Sequence, residues 1–227
     1  PSQPCAFAKT LGTKQHIPRI FVGQPLSVGQ TLDLPPDKTH HLLSVLRLRD
    51  DAPVTLFNGT DEEFSAHLKL MDKRRVSATI VGTEAPCRES SLSMTLWLGV
   101  CKRDAMTAAL RRSTELGVTA IQPVLTEYSA VGAKQASKLA EKWEQVIEGA
   151  AEQSGRTRLP VLHAVSDLQS LLTRAMSDPI ETRYVAHPGG EVFSPPGKDC
   201  QRCLIAIGPE GGFSANEIQS MAGAGFT

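Results

Sequence analysis

The chain of 227 residues lacks any charge imbalance: 24 Lys and Arg stand against 24 Asp and Glu. That balance gives no overall electrostatic reason to bind nucleic acid, although residues 1–50 carry a mild local excess of +3. No apolar run approaches the roughly 20 residues that cross a bilayer. No positively charged start leads into a signal-like apolar block, so a cytoplasmic protein is expected. The five cysteines (5, 87, 101, 200 and 203) are odd in number and widely spread, in a chain too large to need disulfide staples. Reduced thiols are expected. Cys200-x-x-Cys203 lacks the second pair or the histidines of a zinc site. His40 and His41 are adjacent on a helix and cannot share a face. No metal is expected. Internal repeats and low-complexity blocks are missing as well.

What is present centres on residues 207–214, Ile-Gly-Pro-Glu-Gly-Gly-Phe-Ser. The apolar run 203–207 before it reads as a buried strand. Ser214-Ala215-Asn216-Glu217 after it is a capping box opening a helix at Ala215. Strand, glycine-rich turn and capped helix together present backbone N–H groups at the carboxyl edge of an open α/β sheet. Glycines placed for turn geometry alone are the other reading. The Gly-Lys-Ser/Thr of a phosphate loop is missing, and Glu210 would repel a phosphate, so a neutral or cationic ligand suits the turn better.

Along the rest of the chain, residues 1–16 show no period and read as a loosely attached extension. A strand is expected at 18–22 and a helix capped by Asp37 over 37–47. Strands follow over 53–58, 63–70 and 75–82, with Asn58-Gly59 and Asp72-Lys73 as turns. That content suggests a small β-barrel-like domain, closed by a polar linker at 84–91. The second half alternates: strands over 91–100, 118–125, 159–162, 182–186 and 203–207, with helices over 105–116 (capped by Asp104), 134–153 and 167–175. This pattern calls for a mostly parallel sheet covered on both faces. The loops 101–104, 187–190 and 208–213 would share its carboxyl edge. His187 there is a candidate general acid or base, with a structural role as the alternative. These residues by themselves define a small-ligand α/β domain joined to a β-rich module, and no more.

Several motifs go further in combination. They are Ile17-Pro18-Arg19-Ile20-Phe21, the 41–47 helix, Ser113-Thr114-Glu115-Leu116-Gly117-Val118, and Ala151-Glu152-Gln153-Ser154-Gly155-Arg156 with Pro160 behind it. Ala186-His187-Pro188 and Gly208-Pro209-Glu210-Gly211-Gly212-Phe213-Ser214-x-x-Glu217-Ile218 complete the set. From about residue 17 to the end, and in order, the chain resembles the RsmE family of SPOUT methyltransferases. The resemblance implies a PUA-like β-barrel over 17–86 and a trefoil-knot α/β SPOUT domain over 90–227. It implies a homodimer that methylates N3 of one uridine in 16S ribosomal RNA of the small subunit, using S-adenosylmethionine.

Carried onto this chain, the family's cofactor site falls on Ala186, His187, Pro188, Ile207, Gly208, Pro209, Glu210, Gly211 and Gly212, with Glu210 near the sulfonium. Arg156, Glu152 and Gln153 are the catalytic candidates. Arg19, Arg47 and Arg49 of the barrel, with Lys102, Arg103 and Arg112, are the RNA-binding candidates. Ala105 and Tyr128 depart from the lysine and arginine frequent in the family. The family also continues past Phe226-Thr227 with a strand, a Leu-Gly-x-Arg-x-Leu-Arg-x-Glu-Thr-Ala loop and a helix. Without them, the apolar face at Ile205 and Ile207 is expected to lack a neighbouring strand. Two readings compete with the enzyme: an RNA-binding module without catalysis, and a nucleotide-binding α/β protein of unrelated chemistry.

Overall fold

The computed structural model describes residues 17–72, 75–177, 182–190, 192–197 and 199–227. The expected 1–16 extension and Lys73 of the expected Asp72-Lys73 turn lie outside these. The amino-terminal domain is a curled sheet of β1 (Arg19–Phe21), β2 (Thr31–Asp33), β3 (Pro53–Phe57), β4 (Glu63–Leu70) and β5 (Val76–Glu84). Its order is β1-β3-β4-β5-β2, antiparallel except for the β1–β3 pair. Alternation along β4 sends Phe64, Ala66 and Leu68 into a core with Leu56, Ile80 and Leu42. Glu63 belongs to the opposite, outward set, yet it is 2% exposed. Something must cover it, and the second domain does.

The helix expected over 37–47 is instead α1 (Pro36–His40), continued by a π-helical turn over His41–Val45. Pro35 precedes it without a side-chain cap, and Asp37 sits in the first turn as charge only. The turn closes with Arg47 at φ 52°. No glycine marks this end, so the sequence carried no stop signal.

The second domain holds β6 (Ser93–Gly99), β7 (Ala120–Leu125), β8 (Val161–Leu162), β9 (Ser166–Asp167), β10 (Thr182–Ala186) and β11 (Arg202–Ile207), all parallel. The order is β10-β11-β6-β7-β8, with β9 on the far end of β7. Helices α2 (Arg103–Glu115), α3 (Ala133–Ser137) and α4 (Ala140–Ser154) meet one face through Met106, Leu110, Ala136, Trp143 and Ile147. Helices α5 (Leu168–Ala175) and α6 (Ala215–Gly223) meet the other through Leu171, Leu172 and Met221. The long helix expected over 134–153 breaks where the Leu139 N–H donates to the Ala136 carbonyl at 2.9 Å. The break lets Ala136 and Trp143 both reach the core. Asp104 does not cap α2: its N-cap is Lys102, without a side-chain cap. Asp167 does cap α5, accepting from the Ser170 N–H at 2.8 Å.

β11 is an interior strand, flanked by β10 and β6. This corrects the expected open edge at Ile205 and Ile207: the chain passes from β8 and β9 to the far side of the sheet, and β11 fills the space left between. On the outer side of β10, Phe226 bridges Arg183, with a Thr227–Arg183 hydrogen bond of 3.0 Å. Successive strands therefore leave β6 in opposite directions, with helices on opposite faces. Such a topological switch point opens a crevice at the carboxyl ends of β6 and β11.

Candidate active site

Ala186 pairs with Ile207 across β10 and β11, so the 186–188 and 207–212 loops leave the sheet side by side. The second turns tightly: the Gly212 N–H donates to the Pro209 carbonyl at 2.8 Å, with Gly212 at φ +72°. A Cβ on Gly208 would lie 2.9 Å from the Gly212 carbonyl carbon, and one on Gly211 would lie 2.9 Å from Tyr128 Cβ. The tightest point was not legible as a site residue. A Cβ on Gly99, at the end of β6, would fall 2.5 Å from both the nitrogen and Cδ of Pro209. The one sequence clue was a glycine ending an otherwise apolar strand, which can mark a close backbone approach.

Two carboxylates fasten this turn to its neighbours. Glu210 accepts the Lys102 N–H at 3.0 Å. Glu217 accepts the Glu127 N–H and the Ser214 N–H, both at 2.8 Å, the latter as half of the anticipated capping box. Beside Glu210, the Cys101 thiol is pushed up to about 11, by burial first and then by the Glu210 charge. It stays a neutral donor to the Gly99 carbonyl at 3.0 Å. Ala186, His187 and Pro188 are exposed, and the His187 carbonyl accepts from Gly190 N–H at 3.0 Å. All nine cofactor candidates thus lie on one edge.

The catalytic candidates do not join them. Arg156 donates through Nη1 to the carbonyls of Thr114 (3.1 Å) and Val118 (2.8 Å), just ahead of β7. Its Nη2 meets Glu89 at 2.8 Å, just ahead of β6. This is the amino edge of the sheet, a strand length of about 20 Å from the turn. The guanidinium is 8% exposed, and four of its five N–H groups are used internally. Arg156 thus ties α2, β7 and α4 together. Glu89 also accepts the Thr157 and Arg158 N–H groups. Burial opposes its charge, but the Arg156 bond and these N–H groups win, and its pKa is lowered.

Glu152 is likewise engaged. It accepts the Phe21 N–H at 2.9 Å and Lys38 Nζ at 2.7 Å, joining α4 to the barrel. Burial opposes the Lys38 charge, yet the Glu152 and Glu148 carboxylates prevail and raise its pKa. Gln153 is exposed beside them.

Arg19 is held in the same way. Its side chain is 13% exposed and paired with Glu63; it also donates to the Arg156 carbonyl at 2.7 Å and lies over the Phe57 ring. It cannot grip an RNA backbone from there. Arg88, which no sequence pattern singled out, bridges Glu63 and the Gly155 carbonyl. The remaining RNA candidates, Arg47, Arg49, Lys102, Arg103 and Arg112, are exposed.

A curled antiparallel sheet packed against a parallel α/β domain, with a tight glycine turn at its switch point, defines a two-domain α/β protein with a candidate small-ligand site. Residues 88–227 match the model of the RNA methyltransferase domain, and residues 34–81 that of the RNA methyltransferase PUA domain. A ribosomal RNA small subunit methyltransferase E from Neisseria gonorrhoeae, solved bound to S-adenosyl methionine, is 34% identical with a TM-score of 0.78. A Legionella pneumophila methyltransferase solved with the same cofactor is 32% identical with a TM-score of 0.84. Each comparison covers 93% of this chain and 87% of the other. The Bacillus subtilis ribosomal RNA small subunit methyltransferase E is 27% identical over 87% of this chain and 81% of its own length. The chain belongs to the RsmE family of RNA methyltransferases. Among the described residues no helix is long and apolar enough to cross a membrane.

Proposed function

We propose that the protein transfers a methyl group from S-adenosylmethionine to N3 of a uridine in 16S ribosomal RNA, as a homodimer. The observation that carries this reading is the glycine turn at the switch point, packed against Gly99 and Tyr128 and fastened by Glu210 and Glu217. The turn fits this cofactor on its own terms. Room for side chains is absent at Gly99, Gly208 and Gly211, so recognition there falls to the main chain. A carboxylate in the turn favours a cationic ligand over a phosphate-bearing one.

When bound, the cofactor supplies an electrophilic methyl group on a positively charged sulfur. The chain supplies alignment, with the 186–188 and 207–212 loops holding the donor and the exposed arginines holding RNA phosphates. Uridine N3 is a weakly acidic imide, so its proton must leave or its anion must be stabilised as the new bond forms. We assign proton acceptance to the carboxyl edge, where His187 is exposed. Glu152 and Arg156, engaged at the other edge, take no part in it.

The test is methyl transfer by the full-length gene product to 16S ribosomal RNA from cells lacking the modification, read by mass spectrometry of the nucleosides. Appearance of N3-methyluridine is expected. Cofactor binding without transfer would support the RNA-binding module instead.

A further inference from the structure

The barrel and the methyl-donor turn sit at opposite edges of the sheet, so RNA held by both must cross the height of the second domain. An open groove of about 910 Å³ runs that way between α2 and α4. We propose that this groove is the path of the RNA strand between barrel and methyl donor, a reading that rests on the function proposed above.

Periodicity first supports it. Arg103, Thr107 and Arg111 recur at every fourth residue of α2, and Lys142, Gly149 and Gln153 fall on the facing side of α4. Arg103 stands at the cofactor edge, one residue from the Lys102 N–H that Glu210 accepts. His41 and Gln153 stand at the barrel end. The intervening length of α2, 13 residues, is about 20 Å.

Charge supports it next. Arg103, Arg111 and Lys142 are exposed and form no ion pair among the described residues. At the barrel end Glu148 and Glu152 share Lys38, and Asp37 and Glu115 also line the groove. The three free cations therefore lie toward the cofactor end, from Arg103 to Arg111 and Lys142, where a phosphate backbone would find its contacts.

Gly149 is the independent observation. A glycine inside a 15-residue helix costs roughly 1 kcal/mol relative to alanine. Packing does not demand it, because a Cβ there would meet nothing within 4 Å. Its missing side chain does one visible thing: it keeps the middle of the groove open.

The experiment uses the full-length protein and unmodified 16S ribosomal RNA. Gly149→Leu should raise the KM for RNA at least fivefold while leaving the melting temperature equal or higher and the cofactor Kd unchanged. Arg111→Ala and Lys142→Ala should each lower the slope of log affinity against log salt by roughly 0.7 to 0.9. Arg174→Ala, on the opposite face of the sheet, should leave the slope unchanged. Wild-type kinetics from Gly149→Leu, or equal slopes for all variants, would overturn the groove as an RNA path. A change in sedimentation without a change in RNA binding would overturn it too, by showing a second copy of the chain seated there. Failure of the wild type to methylate RNA would instead strike the proposed function, which separates the two.

Discussion

The two edges of the parallel sheet are built on opposite principles. At the amino edge, side chains do the holding: Arg88 pairs with Glu63, and Lys38 with Glu148 and Glu152, across the two domains, while Arg19–Glu63 and Arg156–Glu89 brace the two sides of the joint. At the carboxyl edge, the main chain does it, through glycines at Gly99, Gly208 and Gly211 that leave no space for a Cβ. An ionic seam tolerates no loss of a partner, because an unpaired buried charge is costly. A glycine turn tolerates no gain of an atom. The lesson is that a cluster of charged groups marks the joint between domains here, while the proposed donor site lies at the edge with few side chains.

The largest expected effect comes from breaking the seam. Arg156→Ala leaves Glu89 without its guanidinium and removes a donor from the Thr114 and Val118 carbonyls, for a loss of roughly 3–5 kcal/mol. In a protein of this size that lowers Tm by on the order of 6–20 °C, measurable by differential scanning calorimetry. Gly99→Ala attacks the other edge. Overpacking against Pro209 should weaken S-adenosylmethionine binding by about 1–3 kcal/mol, roughly 5- to 150-fold, in a calorimetric titration. Ser214→Ala removes one half of the capping box at α6 and should cost about 1 kcal/mol of stability in a urea melt.

The smallest effect sharpens the comparison through pH. Glu89 has a lowered pKa in the folded protein, so its contribution is present above the unfolded value of about 4.3 and lost as pH falls through the folded one. Tm should therefore fall more steeply between pH 5 and pH 3 in the wild type than in Glu89→Gln. Equal slopes would remove Glu89 from the acid response. Lys38 acts in the opposite sense. Its raised pKa makes its contribution complete below about 10.4 and lost only as pH rises beyond that.

Much of this was legible in the sequence, for reasons that differ by element. Strand 63–70 was bounded correctly because its alternation is a local signal. The Ser214–Glu217 box was legible because both partners lie within one turn. The break at Leu139 and the left-handed Arg47 were not, since neither carries a glycine or proline. The seam was illegible for a deeper reason: Glu63 and Arg19 are 44 residues apart, and Glu89 and Arg156 are 67 apart. Charge on a strand or at a helix end reads as surface until another domain covers it. The Glu152–Arg156 motif could accordingly mark a family without marking its catalytic centre.

The central claim is that the donor site lies at the carboxyl edge and that Arg156, at the amino edge, braces the second domain. The most direct measurement is S-adenosylmethionine titration of Gly99→Ala and Arg156→Ala side by side, below the melting temperature of both. The account predicts a Kd at least fivefold weaker for Gly99→Ala, and a Kd within twofold of wild type for Arg156→Ala despite its lower Tm. Wild-type affinity in Gly99→Ala together with lost affinity in a still-folded Arg156→Ala would contradict it.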